Sequence, residues 1–323
     1  MLRTLTAALL ALAYTAPAAA QSRLAEVTAF GDDPGDLRMF LRAPAHEVPG
    51  APRAMVVVLH GCGQDAQDIV RLSGWDELAD RGGFWLLMPQ QRFHNNPTLC
   101  FNWFNRADIE PGSGETGSIA SMVRKAQDSL RIAPERVHLY GVSAGGALAA
   151  ALMACHPELF GQAAILGGVP YAAARKEGSA RRPLADPASC TPEEWARRVR
   201  QARPDAVARY PRLTVMHGTH DAVTEFGLGL ALVAQWTAVA GTDSIADRVD
   251  SAFAGAKDVT RLEYHDAQGA PVLAFYRFQG MGHRLPVQPG TAPNQGGGKG
   301  WPTQDMGVHS TWIAAREFGL AAP

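Results

Sequence analysis

The segment GVSAG at residues 141–145 constrains the fold of this chain more than any other feature of its sequence. It follows the apolar run RVHLY at residues 136–140, which predicts a strand, and it leads into the small-residue run AGGALAAA, which predicts a helix. A strand, a G-x-S-x-G turn and a helix form a nucleophile elbow, in which the serine stands exposed at the strand end. Ser143 is therefore the candidate nucleophile. The alternative is a Gly/Ser turn between strand and helix with no catalytic role.

A serine nucleophile requires a base and an acid that orients the base. In chains with such an elbow, the acid and then the histidine follow the serine along the sequence. Asp221 ends the segment HGTHD at residues 217–221, a turn with a glycine that follows the apolar run at residues 212–216, and this is where the orienting acid belongs. The alternative role for Asp221 is to cap the helix predicted from about residue 225, because aspartate is favoured at that position.

The candidate base is His283, in the segment GMGH that follows the last predicted strand at residues 272–278. Two glycines allow this loop to aim the imidazole back over the sheet. His283 would take the serine proton and return it to the leaving group, while Asp221 fixes its tautomer. His217 is the next candidate, but it precedes the acid in the chain.

Two backbone amides are expected to bind the oxyanion. One belongs to Ala144, the residue after the nucleophile. The other is expected in the segment HGCGQ at residues 60–64, which follows the early strand at residues 54–59 and contains two glycines. The Cys62 amide, or that of its neighbour Gly63, is the candidate. Each such donor contributes about 3 kcal/mol of transition-state stabilisation.

The rest of the chain alternates apolar strands with helical patterns, which predicts a mostly parallel central sheet with helices on both faces. Together with the nucleophile elbow, this pattern predicts an α/β-hydrolase fold. The predicted strands lie at residues 54–59, 84–88, 136–140, 163–166, 212–216 and 272–278. The predicted helices lie at residues 65–81, 118–130, 144–151, 192–200, 225–240 and 308–318. Three longer segments are expected between these elements. Residues 98–118 are expected to form an active-site loop, and residues 171–209 an insertion that covers the site. Residues 289–302 are expected to form a flexible loop beside His283.

The amino terminus has a basic start, an apolar core and an A-x-A site before Gln21, which together predict a signal peptide at residues 1–20, cleaved near Ala20. Residues 21–323 are then expected to form one catalytic domain, without a carboxy-terminal substrate-binding module. The predicted location is extracellular or periplasmic.

Charge and composition narrow the expected partners. The net charge of −1 and the lack of a basic stripe argue against nucleic acid. The amino-terminal apolar run is too short to span a membrane and no other long apolar run exists, so no membrane is expected as a partner. No cluster of ligand residues has metal-site spacing, and neither a metal nor another cofactor is expected. The enzyme is expected to be a monomer.

The chain resembles the extracellular esterases grouped with polyhydroxybutyrate depolymerases. Five motifs carry the resemblance in the same order: LHGCGQ at 59–64, CFNWF at 100–104, GVSAGGA at 141–147, HGTHD at 217–221 and GMGH at 280–283. The resemblance implies a secreted serine esterase that uses Ser143, Asp221 and His283 on short-chain polyesters, feruloyl esters or acetylated polysaccharide. Phe101 departs from the tryptophan of many relatives, which puts acyl selectivity in doubt.

Four cysteines in an exported protein predict two disulfides, and three pairings are open. We favour Cys62–Cys100, because it would join the oxyanion loop to the aromatic segment at residues 101–104. Cys155–Cys190 then follows by elimination. The alternative for Cys155 is a buried thiol on the helix after the elbow.

Three side chains are candidates for contact with the substrate. Gln64 lies in the oxyanion segment, and Phe101 and Trp103 offer flat apolar faces to an aromatic ring or a polyester chain. The alternative for both aromatic residues is packing in the core beneath Cys100. Glu115 is interpreted as a charge in the first turn of a helix rather than as a catalytic group.

Three functional hypotheses remain. The first is a hydrolase of 3-hydroxybutyrate polymers or oligomers, and the second is a feruloyl or acetylxylan esterase. The expected lack of an adsorption module favours amorphous polymer, soluble oligomers or small esters over crystalline polyester. The third hypothesis is a non-catalytic binding protein with this fold, and it predicts that Ser143→Ala leaves function intact.

Overall fold

The computed structural model describes residues 24–47, 50, 52–174, 190–205, 207 and 209–321. The predicted signal peptide and residues 175–189, 206 and 208 of the predicted insertion at 171–209 lie outside the described residues. Within these ranges, no helix combines the length and the apolar character needed to cross a bilayer.

The described chain forms one large sheet and a small one. The large sheet contains β1 (Leu24–Val27), β2 (Arg38–Arg42), β3 (Met55–Leu59), β4 (Trp85–Gln90), β5 (Val137–Val142), β6 (Gln162–Leu166), β7 (Arg212–Gly218), β8 (Arg248–Asp250), β9 (Val259–His265) and β10 (Pro271–Phe278). Its strand order is β1-β2-β4-β3-β5-β6-β7-β10-β9-β8. Six adjacent strands in the middle of the sheet are parallel: β4, β3, β5, β6, β7 and β10. Antiparallel pairing adds β2 and β1 at one side of this set and β9 and β8 at the other. The small sheet pairs β11 (Leu285–Val287) with β12 (Thr303–Asp305).

Seven α-helices lie in the described ranges: α1 (Ala66–Ser73), α2 (Trp75–Gly82), α3 (Gly114–Leu130), α4 (Ala144–Cys155), α5 (Pro192–Ala202), α6 (Phe226–Ala240) and α7 (Ser310–Glu317). The single helix predicted at residues 65–81 is two helices. Gly74 separates them, because its left-handed backbone (φ 78°) ends α1 and its amide donates to the Val70 carbonyl.

Both faces of the sheet are covered, as the fold prediction requires. Along β3, Val57 faces a core formed with α3, α4 and α6, while Val56 and Val58 face a second core formed with α1, α2 and α7. Every residue of α4 is buried, because small side chains let this helix lie close on the sheet. A strand with apolar residues on both faces is typical of a buried parallel sheet.

The parallel strands bring distant parts of the chain to one edge. Four strands lead at their carboxyl ends into these segments. Residues 60–64 follow β3, and Ser143 follows β5. Residues 219–221 follow β7, and residues 280–283 lie just past β10. Binding sites in open α/β sheets lie at this edge. The topology therefore collects there the segments that the sequence singles out.

Candidate active site

Ser143 occupies a sharp turn between β5 and α4. Its backbone has φ 55° and ψ −120°, which is rare for a residue with a side chain. The turn is held by the Ser143 amide, which donates to the Leu166 carbonyl at 2.9 Å. A side chain at Gly145 would collide with the carbonyl oxygens of Leu59 and His60, and one at Gly141 would collide with Gly145. Both glycines are thus required for the turn to pack against β3.

The structure brings the three predicted catalytic residues into hydrogen-bonding distance. Ser143 Oγ lies 2.9 Å from His283 Nε2, and His283 Nδ1 lies 2.7 Å from Asp221 Oδ2. A carboxylate that accepts from Nδ1–H leaves Nε2 unprotonated toward the serine hydroxyl. This arrangement can activate a serine oxygen for attack on a carbonyl carbon.

Asp221 is buried and receives several donors. Its Oδ1 accepts the amides of Val223 and Thr224, each at 2.9 Å, and its Oδ2 accepts the Thr224 hydroxyl at 3.0 Å. Burial raises the pKa of the Asp221 carboxyl, but the hydrogen bond and charge of His283 and the two amides outweigh burial, so the net pKa is lowered. A lowered pKa favours the charged form of the Asp221 carboxylate beside His283. The bonds to Val223 and Thr224 also organise the turn before α6, but Asp221 does not cap that helix, whose N-cap is Glu225.

His217, the second candidate base, packs against Asp221. Its Nε2 donates to the Thr224 carbonyl at 2.7 Å and lies 3.6 Å from Asp221 Oδ2. The ring is completely buried, and burial lowers its pKa. His217 supports the turn that carries the acid and makes no hydrogen bond to Ser143 among the described residues.

The amides expected to bind an oxyanion are available on both sides of Ser143. In the described structure, neither the Cys62 amide nor the Ala144 amide donates to a protein acceptor. The Gly63 amide donates to the Thr98 carbonyl at 2.9 Å, which excludes it as the second donor. Gln64 fixes the segment, because its Oε1 accepts the Gly61 amide at 2.8 Å.

The loop at residues 91–102 supports the oxyanion segment. The predicted Cys62–Cys100 disulfide is present. Gln91 Nε2 donates to the Cys100 carbonyl and to Glu115 Oε1, and the Gln91 amide donates to His60 Nε2. Burial lowers the pKa of His60 to about 4, so the ring is neutral and can accept this bond.

Glu115 holds the loop at residues 91–102 through hydrogen bonds to its carboxylate. It lies in the first turn of α3, as interpreted, but it is completely buried. Its Oε2 accepts the Asn102 amide at 2.8 Å, beside the bond from Gln91. Burial and the nearby charge of Asp108 raise the pKa of the Glu115 carboxyl well above its usual range. The sequence signals the position of Glu115 but not its burial.

Two of the three predicted substrate contacts lie away from the pocket. Phe101 is completely buried, with its ring 4.5 Å from that of His60, so the core alternative applies to it. Trp103 is partly buried against the core and packs edge-on against Phe104. Gln64 does line the pocket beside Ser143.

The predicted Cys155–Cys190 disulfide is wrong. Cys155 ends α4 as a buried thiol, and its Sγ donates to the Ile109 carbonyl at 2.9 Å. Cys190 lies before α5, with its sulfur 3.2 Å from Arg198 Nη2. The two sulfurs occupy separate packing environments, and elimination failed because it assumed that every cysteine pairs. Burial raises the pKa of the Cys155 thiol to about 12, which makes it unreactive.

A pocket of about 490 Å³ opens at Ser143. Its walls are mainly apolar, and its rim carries Val223 and Trp301, which are 66% and 73% exposed. The other lining residues are Gly61, Cys62, Gln64, Ile69, Val142, Leu166, His220, Ala222, Gly282, His283, Arg284, Leu285 and Pro302. Sequence reasoning missed Val223, Arg284 and Trp301 as pocket residues. The only signal for Trp301 was its place in the glycine-rich loop beside His283.

The described residues contain no group of three or more histidine, cysteine or acidic side chains that could hold a metal ion. The residues around Ser143 instead bring a hydroxyl, an imidazole, a carboxylate and two amides without protein acceptors close together. A mostly parallel sheet that carries these groups at its strand ends defines an α/β-hydrolase.

Comparison with known proteins agrees. The family model described as "Esterase PHB depolymerase" matches residues 44–241. Poly(3-hydroxyalkanoate) depolymerase C of Paucimonas lemoignei is 34% identical over 92% of this chain and 70% of its own length. Feruloyl esterase B of Talaromyces funiculosus is 28% identical over 86% of this chain and 78% of its own length. The structure of an acetyl xylan esterase from Aspergillus awamori has the same fold, with a TM-score of 0.75, 22% identity and coverage of 92% of this chain and 99% of that one. The chain belongs to the PHB depolymerase esterase family, which confirms the resemblance seen in its motifs, and it is an esterase.

Proposed function

We propose that this esterase is secreted and hydrolyses short-chain polyesters of the poly(3-hydroxybutyrate) type, as polymer or oligomers. The observation that carries the proposal is the hydrogen bond from Ser143 to His283 at the mouth of an apolar pocket with an open rim. An aliphatic polyester chain can lie across Val223 and Trp301 while one of its ester groups reaches Ser143. The similarity to a poly(3-hydroxyalkanoate) depolymerase over most of the chain supports the same substrate class.

In the proposed reaction, His283 takes the proton of Ser143 as the serine oxygen attacks the ester carbonyl. The amides of Cys62 and Ala144 then stabilise the oxyanion of the tetrahedral intermediate. His283 protonates the departing alkoxide, which leaves an acyl group on Ser143. A water activated by His283 hydrolyses this acyl-enzyme, and the carboxylic acid departs.

A feruloyl or acetyl ester of plant polysaccharide is the second candidate substrate. The exposed indole of Trp301 offers a flat face on which a feruloyl ring can stack. Feruloyl and acetylxylan esterases are also among the similar proteins. This candidate uses the same Ser143, His283 and Asp221 and differs in the group that occupies the pocket.

Secretion is supported by the amino-terminal sequence and by the Cys62–Cys100 disulfide, since disulfides persist in oxidising compartments. Mass analysis of protein recovered from the culture medium or the periplasm would test the predicted cleavage near Ala20. A mature protein that retains residues 1–20 would contradict it.

The substrate test compares wild type with Ser143→Ala on amorphous poly(3-hydroxybutyrate) and on methyl ferulate, with products identified by mass spectrometry. We expect wild type alone to release 3-hydroxybutyrate monomer and dimer. Release of ferulate with the polymer untouched would replace the polyester proposal by the second candidate. Hydrolysis by Ser143→Ala at the wild-type rate would contradict the role of Ser143.

A further inference from the structure

Arg284 places a positive charge in an otherwise mainly apolar pocket. It follows His283 in the chain, is half-buried and lines the same pocket as Ser143. Among the described residues that line this pocket, Arg284 is the only arginine or lysine, and none is acidic. A positive charge beside mainly apolar walls favours an anionic partner over a neutral one.

The position of Arg284 is set by an aromatic ring rather than by a carboxylate. Its guanidinium carbon lies 5.2 Å from the centroid of the Trp301 ring, while the described residues give it no ion pair. Other half-buried arginines differ, since both Arg212 and Arg261 pair with Glu317. Stacking on an indole uses the face of the guanidinium and leaves its in-plane N–H donors available.

The neighbouring base indicates which part of a substrate meets Arg284. His283 must protonate the departing alcohol, so the leaving group occupies the side of the pocket that His283 borders. When an oligomer of a hydroxy acid is cleaved at its last ester bond, the leaving alcohol carries the terminal carboxylate. Arginine binds a carboxylate through two parallel N–H donors, which fixes orientation as well as charge.

We propose that Arg284, held by Trp301, binds the terminal carboxylate of an oligoester whose ester bond lies at Ser143. Resting on the proposed function, this inference assigns a preference for oligomers with a free acid end over neutral esters of the same length. In a feruloyl or acetyl ester of a polysaccharide, the leaving group is a sugar alcohol and carries no such terminal carboxylate.

The test uses the linear dimer of 3-hydroxybutyrate as the free acid and as its methyl ester. Wild type is compared with Arg284→Gln, with the charge-retaining Arg284→Lys and with Arg277→Gln, an exposed site on β10 outside the pocket. We expect the ratio of kcat/KM for free acid to kcat/KM for methyl ester to fall at least tenfold in Arg284→Gln, equivalent to 1.4 kcal/mol. Arg284→Lys should keep part of this preference, and Arg277→Gln all of it.

A second readout requires only general esterase activity. The free-acid dimer should inhibit hydrolysis of p-nitrophenyl acetate competitively, with an inhibition constant that rises at least tenfold in Arg284→Gln. An unchanged ratio and an unchanged inhibition constant would overturn the inference. If wild type hydrolyses p-nitrophenyl acetate but neither dimer, the polyester proposal fails, and the inhibition constants still decide whether Arg284 binds the carboxylate.

Discussion

His138 lies on β5, five positions before the nucleophile, and it is 2% exposed. Its ring stacks on Phe318, with centroids 4.7 Å apart, and neither ring nitrogen has a hydrogen-bond partner in the described structure. Burial, with a smaller contribution from Arg136, lowers its pKa from 6.5 to about 3. The native protein therefore keeps His138 neutral at pH values where the unfolded chain protonates it.

The pH dependence of stability tests this residue. As pH falls below about 6.5, the unfolded chain binds a proton that the native state refuses, so the free energy of unfolding decreases. His138→Phe keeps the stacked ring and removes that proton. Between pH 7 and pH 5, we expect the variant to lose about 2 kcal/mol less stability than wild type. Urea unfolding at both pH values measures the difference, with the exposed His46→Phe as control. Equal losses in wild type and His138→Phe would show that His138 is protonated in the native state.

Single residues also show where sequence reasoning stops. That Ser143, Asp221 and His283 lie together could be predicted, because each follows a recognisable strand and their order along the chain is the one an elbow requires. Phe101 could not be assigned, because an aromatic residue beside Cys100 is equally suited to a pocket wall and to the core. The state of Cys155 could not be predicted for a similar reason. Its thiol contacts the carbonyl of Ile109, a residue far from it in the sequence.

At the scale of elements, the loop at residues 91–102 is the support of the oxyanion segment. The disulfide joins it to Cys62, Gln91 joins it to His60 and Glu115, and Thr98 accepts the Gly63 amide. These attachments hold the Cys62 amide beside Ser143. Glu115 attaches the loop to α3, because its carboxylate accepts hydrogen bonds from Gln91 and from the Asn102 amide.

Reduction of the disulfide tests this support. The bond closes a loop with a sequence separation of 38, which corresponds to about 4 kcal/mol of stability in the chain-entropy model. We expect dithiothreitol, or Cys100→Ser, to lower the thermal midpoint and to reduce kcat by up to about 100-fold, because an oxyanion donor loses its fixed position. Thermal unfolding and steady-state kinetics on one ester measure both effects.

Cys155→Ala is the matched control for that experiment, since it removes a thiol that forms no disulfide. It should remain sensitive to dithiothreitol, whereas the double variant Cys62→Ser, Cys100→Ser should not. Full activity in a protein whose reduction is proven by thiol labelling would rule out the supporting role of the bond.

The sheet shows which elements the sequence reveals. The six parallel strands could be predicted because they are apolar on both faces. The flanking strands β1, β2, β8 and β9 were missed, because they are short or half-exposed, and all three residues of β8 are exposed. Their pairing depends on neighbours in the sheet rather than on a pattern of their own.

At the scale of the whole molecule, the fold and the proposed catalytic site follow from the order of elements along the chain, while the pocket is formed by the packing of loops. Parallel strands place Ser143, Asp221 and His283 at one edge, and this follows from the predicted topology. Val223, Arg284 and Trp301 reach the pocket from loops whose paths the sequence does not indicate. The choice of substrate therefore rests on the part of the molecule that was least predictable.

Covalent labelling of the nucleophile tests the central claim most directly. A fluorophosphonate reacts with an activated serine and mimics the tetrahedral intermediate, so intact mass and peptide mapping report the number and place of the modified residues. We expect one phosphonate per chain, on the peptide that contains Ser143, with labelling abolished in Ser143→Ala and strongly slowed in His283→Ala. Stoichiometric labelling of another residue, or undiminished labelling of Ser143→Ala, would contradict the assignment of Ser143 as the nucleophile.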